Sequence, residues 1–258
     1  MRLALLIAVA AAAAGCASTG DEGDRLARRY DDDTPLTTLS FYRWNPKAEV
    51  DLTAGTIEAV SDRTQHEETL GGRVEAHLDM VSVLLEGFWV HANADAAGVK
   101  GDARYGRLDF AAAMRIVGPE SAPASERPSP IAVYVDGIAG IRSHYGSLKA
   151  DASAFEREDQ SGFWIEPMAG GRASLVLLRR ITIEGRADIS GIGYDGWYSV
   201  STGAEANLRV DLAVGLGAFV GARWARVRVE EDDDDDGFEE FSLDLRLEGL
   251  QAGVLWEF

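Results

Sequence analysis

Apolar residues recur at every second position through most of this chain, in short stretches separated by polar or glycine-containing links. Ten such stretches run through residues 41–54, 72–80, 82–92, 104–117, 131–146, 162–175, 180–192, 197–209, 212–229 and 240–258. A period of two belongs to a strand with two unlike faces, and most stretches have about the 9 to 11 residues with which a tilted strand crosses a bilayer. In one, Leu108, Phe110, Ala112, Met114 and Ile116 oppose Arg107, Asp109 and Arg115. In another, Ile181, Ile183, Ala187 and Ile189 oppose Thr182, Glu184, Arg186, Asp188 and Ser190. The final stretch alternates Leu250, Ala252, Val254, Trp256 and Phe258 with small or polar residues and ends on an aromatic. That is the form required of the closing strand of a transmembrane barrel.

A water-soluble sandwich alternates too, with its apolar face turned inward. The links separate the two cases. With a periplasmic amino terminus, the external links cover 55–71, 93–103, 147–161, 193–196 and 230–239, several of them long. The opposite links, near Val81, Leu177 and Val210, are short, and only 118–130 breaks the rule. This asymmetry is that of bacterial outer-membrane barrels. The pattern therefore predicts an all-β chain: a closed antiparallel up-and-down transmembrane β-barrel of about ten strands, within a range of eight to twelve. Trp89, Tyr105, Tyr145, Trp164, Trp197, Tyr198 and Trp224 fall near outer strand ends, and Trp44, Trp256 and Phe258 near inner ends, so two aromatic girdles are expected. The last stretch changes parity, from odd Phe241, Leu243, Leu245 and Leu247 to even Leu250 onward. A bulge at or beside Gly249 would turn both halves toward lipid.

The amino terminus fits export. Arg2 precedes an apolar run from Leu3 to Ala14, too short for a membrane-spanning helix. Ala13-Ala14-Gly15-Cys16 resembles a lipoprotein lipobox, and Cys16 is the only cysteine. The expected division is a signal peptide at 1–15, a periplasmic tether at 16–39 with lipidated Cys16, and an outer-membrane barrel at 40–258; ordinary cleavage nearby is the alternative. Composition agrees: 28 glycines against 7 prolines favour strands and tight turns. A net charge of −18 with no basic stripe excludes nucleic-acid binding.

Tyr42-Arg43-Trp44, the units Gly140-Ile141-Arg142, Gly170-Gly171-Arg172 and Gly221-Ala222-Arg223, Asp244 with Arg246, and the closing Leu255-Trp256-Glu257-Phe258 carry a further reading. On these residues the chain from about Phe41 to Phe258 resembles a broad family of bacterial outer-membrane β-barrel proteins, mostly without assigned function. The resemblance implies the barrel and is silent about activity. Some small barrels similar to this one modify lipid A with outward-facing His, Ser and acidic residues near the outer rim. Here His144 is expected to face inward, and the expectation is a protein that is not an enzyme.

Glu49, Asp51, Glu75, Asp79, Arg107, Asp109, Arg115, Asp136, Arg142, Glu166, Arg172, Glu184, Arg186, Asp188, Glu205, Arg209 and Arg223 occupy positions expected to face inward. In a narrow barrel such charges pair into a plug, because unpaired burial is prohibitive. A small polar path is the alternative. Glu230 to Glu240 holds nine acids in eleven positions, and Asp232, Asp234, Asp236 and Gly237 match the start of a calcium loop. The twelfth position is Leu243 instead of glutamate, so at most loosely bound Ca or Mg is expected, bridging to lipopolysaccharide phosphates. His66, His77, His91 and His144 share no metal-ligand spacing. The expected function is a structural or surface-interaction role with acidic external loops and a plugged lumen. Its partners would be outer-membrane lipid, lipopolysaccharide and, through Trp256 and Phe258, the barrel-assembly machinery. The alternatives are a narrow channel or transporter for small polar solutes, a lipid-modifying enzyme, and a soluble lipid-binding calyx.

Overall fold

A computed structural model describes residues 36–54, 57–61, 69–78, 80–96, 99–118, 131–152, 158–177, 180–194, 197–213, 215–231 and 241–258. Cys16 and the rest of the amino-terminal segment, His66, Asp79, and the acidic run with Asp232, Asp234 and Asp236 lie outside the described residues. Eleven strands follow one another: β1 Leu36–Ala54, β2 Ile57–Ser61, β3 Thr69–Leu78, β4 Val81–Ala96, β5 Val99–Val117, β6 Ile131–Ala152, β7 Glu158–Leu177, β8 Ile181–Tyr194, β9 Trp197–Ala213, β10 Leu216–Glu231 and β11 Phe241–Glu257. All pairings are antiparallel, and β11 returns to β1. β2 pairs with Val50–Ala54 of β1 and β3 with Leu36–Trp44 along the same edge, so together they fill one place in a closed barrel of ten strands.

The closing seam runs in continuous register from Thr38 opposite Glu257 to Ala54 opposite Phe241. Thr37 and Phe258 then exchange backbone hydrogen bonds of 3.0 and 3.1 Å, so the last residue is part of the wall. Trp256 projects outward, with its ring edge-on to Phe258 at 5.8 Å. The β9–β10 turn needs Gly215, whose φ of 72° is left-handed; a Cβ there would lie 2.3 Å from the Glu257 carbonyl.

The strands overrun the sequence-based bounds. β6 has 22 residues and β7 has 20, and much of the expected links 93–103 and 147–161 is strand. At about 3.4 Å per residue and about 40° of tilt, β6 rises roughly 55 Å, about twice the roughly 25 Å of a transmembrane barrel's apolar band. The outer wall divides accordingly. Near the end holding the short turns and Phe258, outward positions are apolar: Leu108 to Ile116 on β5, Ile181 to Ile189 on β8, Leu216 to Trp224 on β10, Trp256 back to Leu250 on β11. At its upper border stand Trp89, Tyr145, Phe163, Tyr198 and Trp224, all exposed. Outward Arg43 joins this border, since it pairs with Leu70, which in turn pairs with Trp89. Beyond the border, toward the loop end, outward positions become Lys47, Glu49, Asp51, Arg104, Arg226, Arg228, Asp244, Arg246 and Glu248.

The interior changes with the exterior. Behind the charged rim, Tyr42, Trp44, Phe88, Val90, Tyr105, Val227, Val229, Leu245 and Leu247 form a buried apolar cluster. A wall surrounded by water must turn its apolar face inward, whereas a wall surrounded by hydrocarbon must turn it outward. This inversion corrects three sequence expectations. Glu49 and Asp51 face out because Ala48 and Val50 face in. No bulge interrupts β11 at Gly249; both ladders pass through it in register, with Leu243, Leu245 and Leu247 inside and Leu250 onward outside. Gly249 instead permits close strand approach, since a Cβ would meet the Asn45 carbonyl at 2.1 Å. Trp44, Tyr105, Trp164 and Trp197 are not girdle residues, because they face the interior and join or pack against its apolar cluster.

Candidate functional site: the charged lumen

Below the apolar cluster, alternate strand positions around the barrel send charges into the lumen, and the lengths of these side chains bring acids and guanidiniums into contact across it. Glu86 on β4 is one hub. It accepts hydrogen bonds from Tyr42 Oη (3.0 Å), Arg73 Nη2 (3.1 Å), Arg186 Nη1 (2.7 Å) and Arg223 Nη1 (2.7 Å). Asp109 is the second: Arg107 Nε donates to it at 2.9 Å and Arg142 at 2.8 and 3.0 Å. Asp188 on β8 joins Arg107, Arg142 and Arg186, and Glu205 pairs with Arg73 and, at 3.9 Å, with Arg223. Arg73 also reaches Glu184 at 3.4 Å. Arg73, Arg107, Arg142, Arg186 and Arg223 are thus met by Glu86, Asp109, Glu184, Asp188 and Glu205, a belt in which each charge has an opposite neighbour. Arg223 further lies over the Phe88 ring at 4.9 Å, tying the belt to the apolar cluster.

Two smaller groups flank the belt. Arg172 bridges Glu75 and Asp136 at 2.8 Å each, with Arg115 3.6 Å from Asp136 and over the Tyr134 ring. Arg209 joins Asp211 at 2.7 Å and Glu257 at 2.5 Å beside the closing seam. Between these groups and the belt, a cavity of about 60 Å³ is lined by Thr38, Ser40, Arg73, Glu205, Asn207 and Gln251 among others. It has room for a few waters. Thr38 Oγ1, Arg73 Nε and Gln251 Oε1 have no hydrogen-bond partner among the described residues.

One cluster has the residue types of nucleophilic catalysis. Glu166 accepts from Ser190 (2.6 Å), Ser201 (2.8 Å) and Ser199, and lies 3.2 Å from His144 Nε2. The geometry is not that of a catalytic triad. A relay needs serine and acid on different imidazole nitrogens. Here Ser201 and Glu166 both face Nε2, while Nδ1 meets Tyr105 Oη at 2.8 Å. His144 is fully buried and stacked on Trp164 at 4.8 Å. Among the described residues no group of three or more His, Cys, Asp or Glu side chains is arranged to hold a metal.

The sequence-assigned lumen charges from Arg107 to Arg223 all face inward. Sequence reasoning misses Arg73 and Glu86, which form the centre of the belt. Glu86 sits in Val81-Ser82-Val83-Leu84-Leu85-Glu86-Gly87-Phe88, apolar on both faces, and a lone acid there is the available signal.

Outside the wall, just above Trp224, a groove of about 340 Å³ is lined by Lys47, Glu49, Trp224, Arg226, Arg246 and Glu248. Arg226 and Arg246 stand directly opposite each other on β10 and β11. Asp244 lies between them, receiving Arg226 at 2.9 and 2.5 Å and Arg246 at 3.2 Å. The Arg226 hydrogen bonds hold the Asp244 carboxyl below the usual aspartate range, against the opposing effect of partial burial.

The chain is similar to solved outer-membrane structures. The outer-membrane protease OmpT of Escherichia coli superposes with a TM-score of 0.54 at 10% identity, over 86% of this chain and 97% of that one. Ail, the attachment invasion locus protein of Yersinia pestis, gives 0.40 at 10% identity over 88% and 100%. The outer-membrane protein OprG of Pseudomonas aeruginosa gives 0.38 at 11% identity over 88% and 97%. No protein-family model matches the sequence, and no curated protein matches it. At 10% identity the likeness to OmpT is one of fold.

Proposed function

We propose that this protein is a non-conducting outer-membrane barrel that displays a charged rim and acidic loops at the cell surface and carries out no chemistry of its own. The observation that carries this reading is the double closure of the lumen: an apolar cluster around Trp44 and Leu247 above a belt of paired charges around Glu86 and Asp109. A solute would have to displace both. In the proposed orientation Thr37, Phe258 and the short turns would lie in the periplasm and the charged rim outside, with Cys16 lipidated on the periplasmic side. The rim groove beside Trp224 sits at headgroup height, where Lys47, Arg226 and Arg246 suit lipopolysaccharide phosphates. The acidic run with Asp232, Asp234 and Asp236 would hold Ca or Mg loosely against the same phosphates, and the strand ending in Trp256 and Phe258 would be the part the assembly machinery engages.

Labelling in intact cells tests the display. A cysteine placed at Gly237 in a Cys16→Ser background should react with a membrane-impermeant maleimide before the envelope is broken. Reaction only after disruption would overturn the orientation.

A further inference from the structure

One length of wall lacks half of its backbone pairing. β7 pairs with β6 along nearly its whole length, but its ladder to β8 joins only Met168–Leu177. The facing residues Gly191 to Tyr194 of β8 pair with β9 alone. Among the described residues, therefore, Glu158–Pro167 has a strand partner on one side only. The ladder begins at the residue after Pro167, which has no N–H to contribute. The closest atoms to a Cβ built at Gly191 or Gly193 all belong to β9.

The depth of this gap makes it unusual. Phe163 stands opposite Tyr145 and Gly193 opposite Tyr198, so the gap begins at the aromatic border and descends through Ile165 and Pro167 into the apolar band. Open strand edges in hydrocarbon leave N–H and C=O groups without water to satisfy them. The gap is not a hole into the lumen. Behind it Glu166 accepts from Ser190 and Ser201, and Trp164 Nε1 donates to Ser199 at 3.1 Å, so side chains lace β7 to β8 and β9 where the backbone does not. What remains on the outer face is a seam without backbone pairing. Ile192 reports it: its parity is inward, yet it is 37% exposed while its inward neighbour Ser190 is 3% exposed.

We propose that this seam forms a groove that binds an acyl chain of a lipid from the leaflet at the loop end of the barrel. The chain would lie along Phe163, Ile165, Ile189 and Ile192. Its ester or amide carbonyl would sit at the level of Tyr145 and Tyr198, where it can accept from the unpaired β7 amides. The site goes beyond the display role and does not depend on which leaflet is outermost.

Photo-crosslinking decides it. The wild-type protein is placed in nanodiscs whose phospholipid carries a diazirine midway along one acyl chain, and adducts are mapped by mass spectrometry. Adducts are expected on Ile192 as well as on outward residues such as Phe110, and none on buried inward Ile138. Pro167→Val, which restores the missing donor, should reduce the Ile192 adducts severalfold and leave those at Phe110 unchanged. Adducts confined to outward residues would overturn the proposal. So would a covalent dimer through β7 in place of lipid adducts, which would assign the open edge to a second copy of the chain.

Discussion

Replacing Glu86 by Gln removes one charge and almost no volume from the centre of the lumen. Four donors lose an ionised acceptor: Tyr42, Arg73, Arg186 and Arg223. They do not suffer equally. Arg73 keeps Glu205 and Glu184, and Arg186 keeps Asp188 at 3.2 Å and Asp109 at 3.5 Å. Of its acids among the described residues Arg223 keeps Glu205 alone, at 3.9 Å, beside its hydrogen bond of 2.6 Å to Tyr42 Oη. Removing one partner of a buried ion pair costs about 3 to 5 kcal/mol, and the retained partners put Glu86→Gln near about 3 kcal/mol. That is roughly a hundredfold in the unfolding equilibrium. Adding Arg223→Gln removes the stranded cation, so the double variant should recover about 1 kcal/mol or more instead of losing more. Urea unfolding in detergent micelles, followed by tryptophan fluorescence, measures both. A Glu86→Gln midpoint within about 1 kcal/mol of the parent, or losses that simply add in the double variant, would refute the belt as a coupled network.

The other predictions address the wall, the rim and the amino terminus. Ala112→Arg or Ile183→Arg should cost about 2 to 4 kcal/mol and impair assembly, because both face the apolar band, and an unchanged folding yield would show that they do not. Leu247→Ala should cost about 2 to 5 kcal/mol as a buried interior truncation, and a neutral result would return Leu247 to the outer face. The Asp244 carboxyl should titrate below the ordinary value of about 3.9 in carbonyl NMR, and Arg226→Gln should raise it. Its small stabilising contribution is present above that ordinary value and is lost as pH falls through the depressed one. Cys16→Ser should abolish lipid attachment without preventing barrel folding, read by mass spectrometry of the mature terminus.

The barrel is legible in the sequence because a period of two survives along its strands. Leu108 to Ile116 and Ile181 to Ile189 read correctly because their opposite faces are charged. The inversion of polarity is not legible, since alternation looks the same whether lipid or water lies outside. Leu247 and Leu250 are both leucines on one continuous strand; parity puts them on opposite faces, and only its emergence from the membrane explains why each face in turn is the apolar one. Trp44 misleads for a related reason: its place near a strand end suggests an interface, but its parity matches Tyr42 and Ala48 inside. The inward charges are legible one by one, but their partners are not. Arg186 meets Glu86 across 100 residues of chain, and nothing in local spacing pairs them.

Single-channel recording in planar bilayers tests the closed lumen most directly. The purified protein, with insertion verified by its resistance to protease in the same membranes, should give no steady unitary current across a wide range of applied voltage, and Glu86→Gln should remain silent because the cluster around Trp44 and Leu247 still seals the loop end. A stable, voltage-independent conductance from the parent protein would contradict the double closure and make the lumen a path.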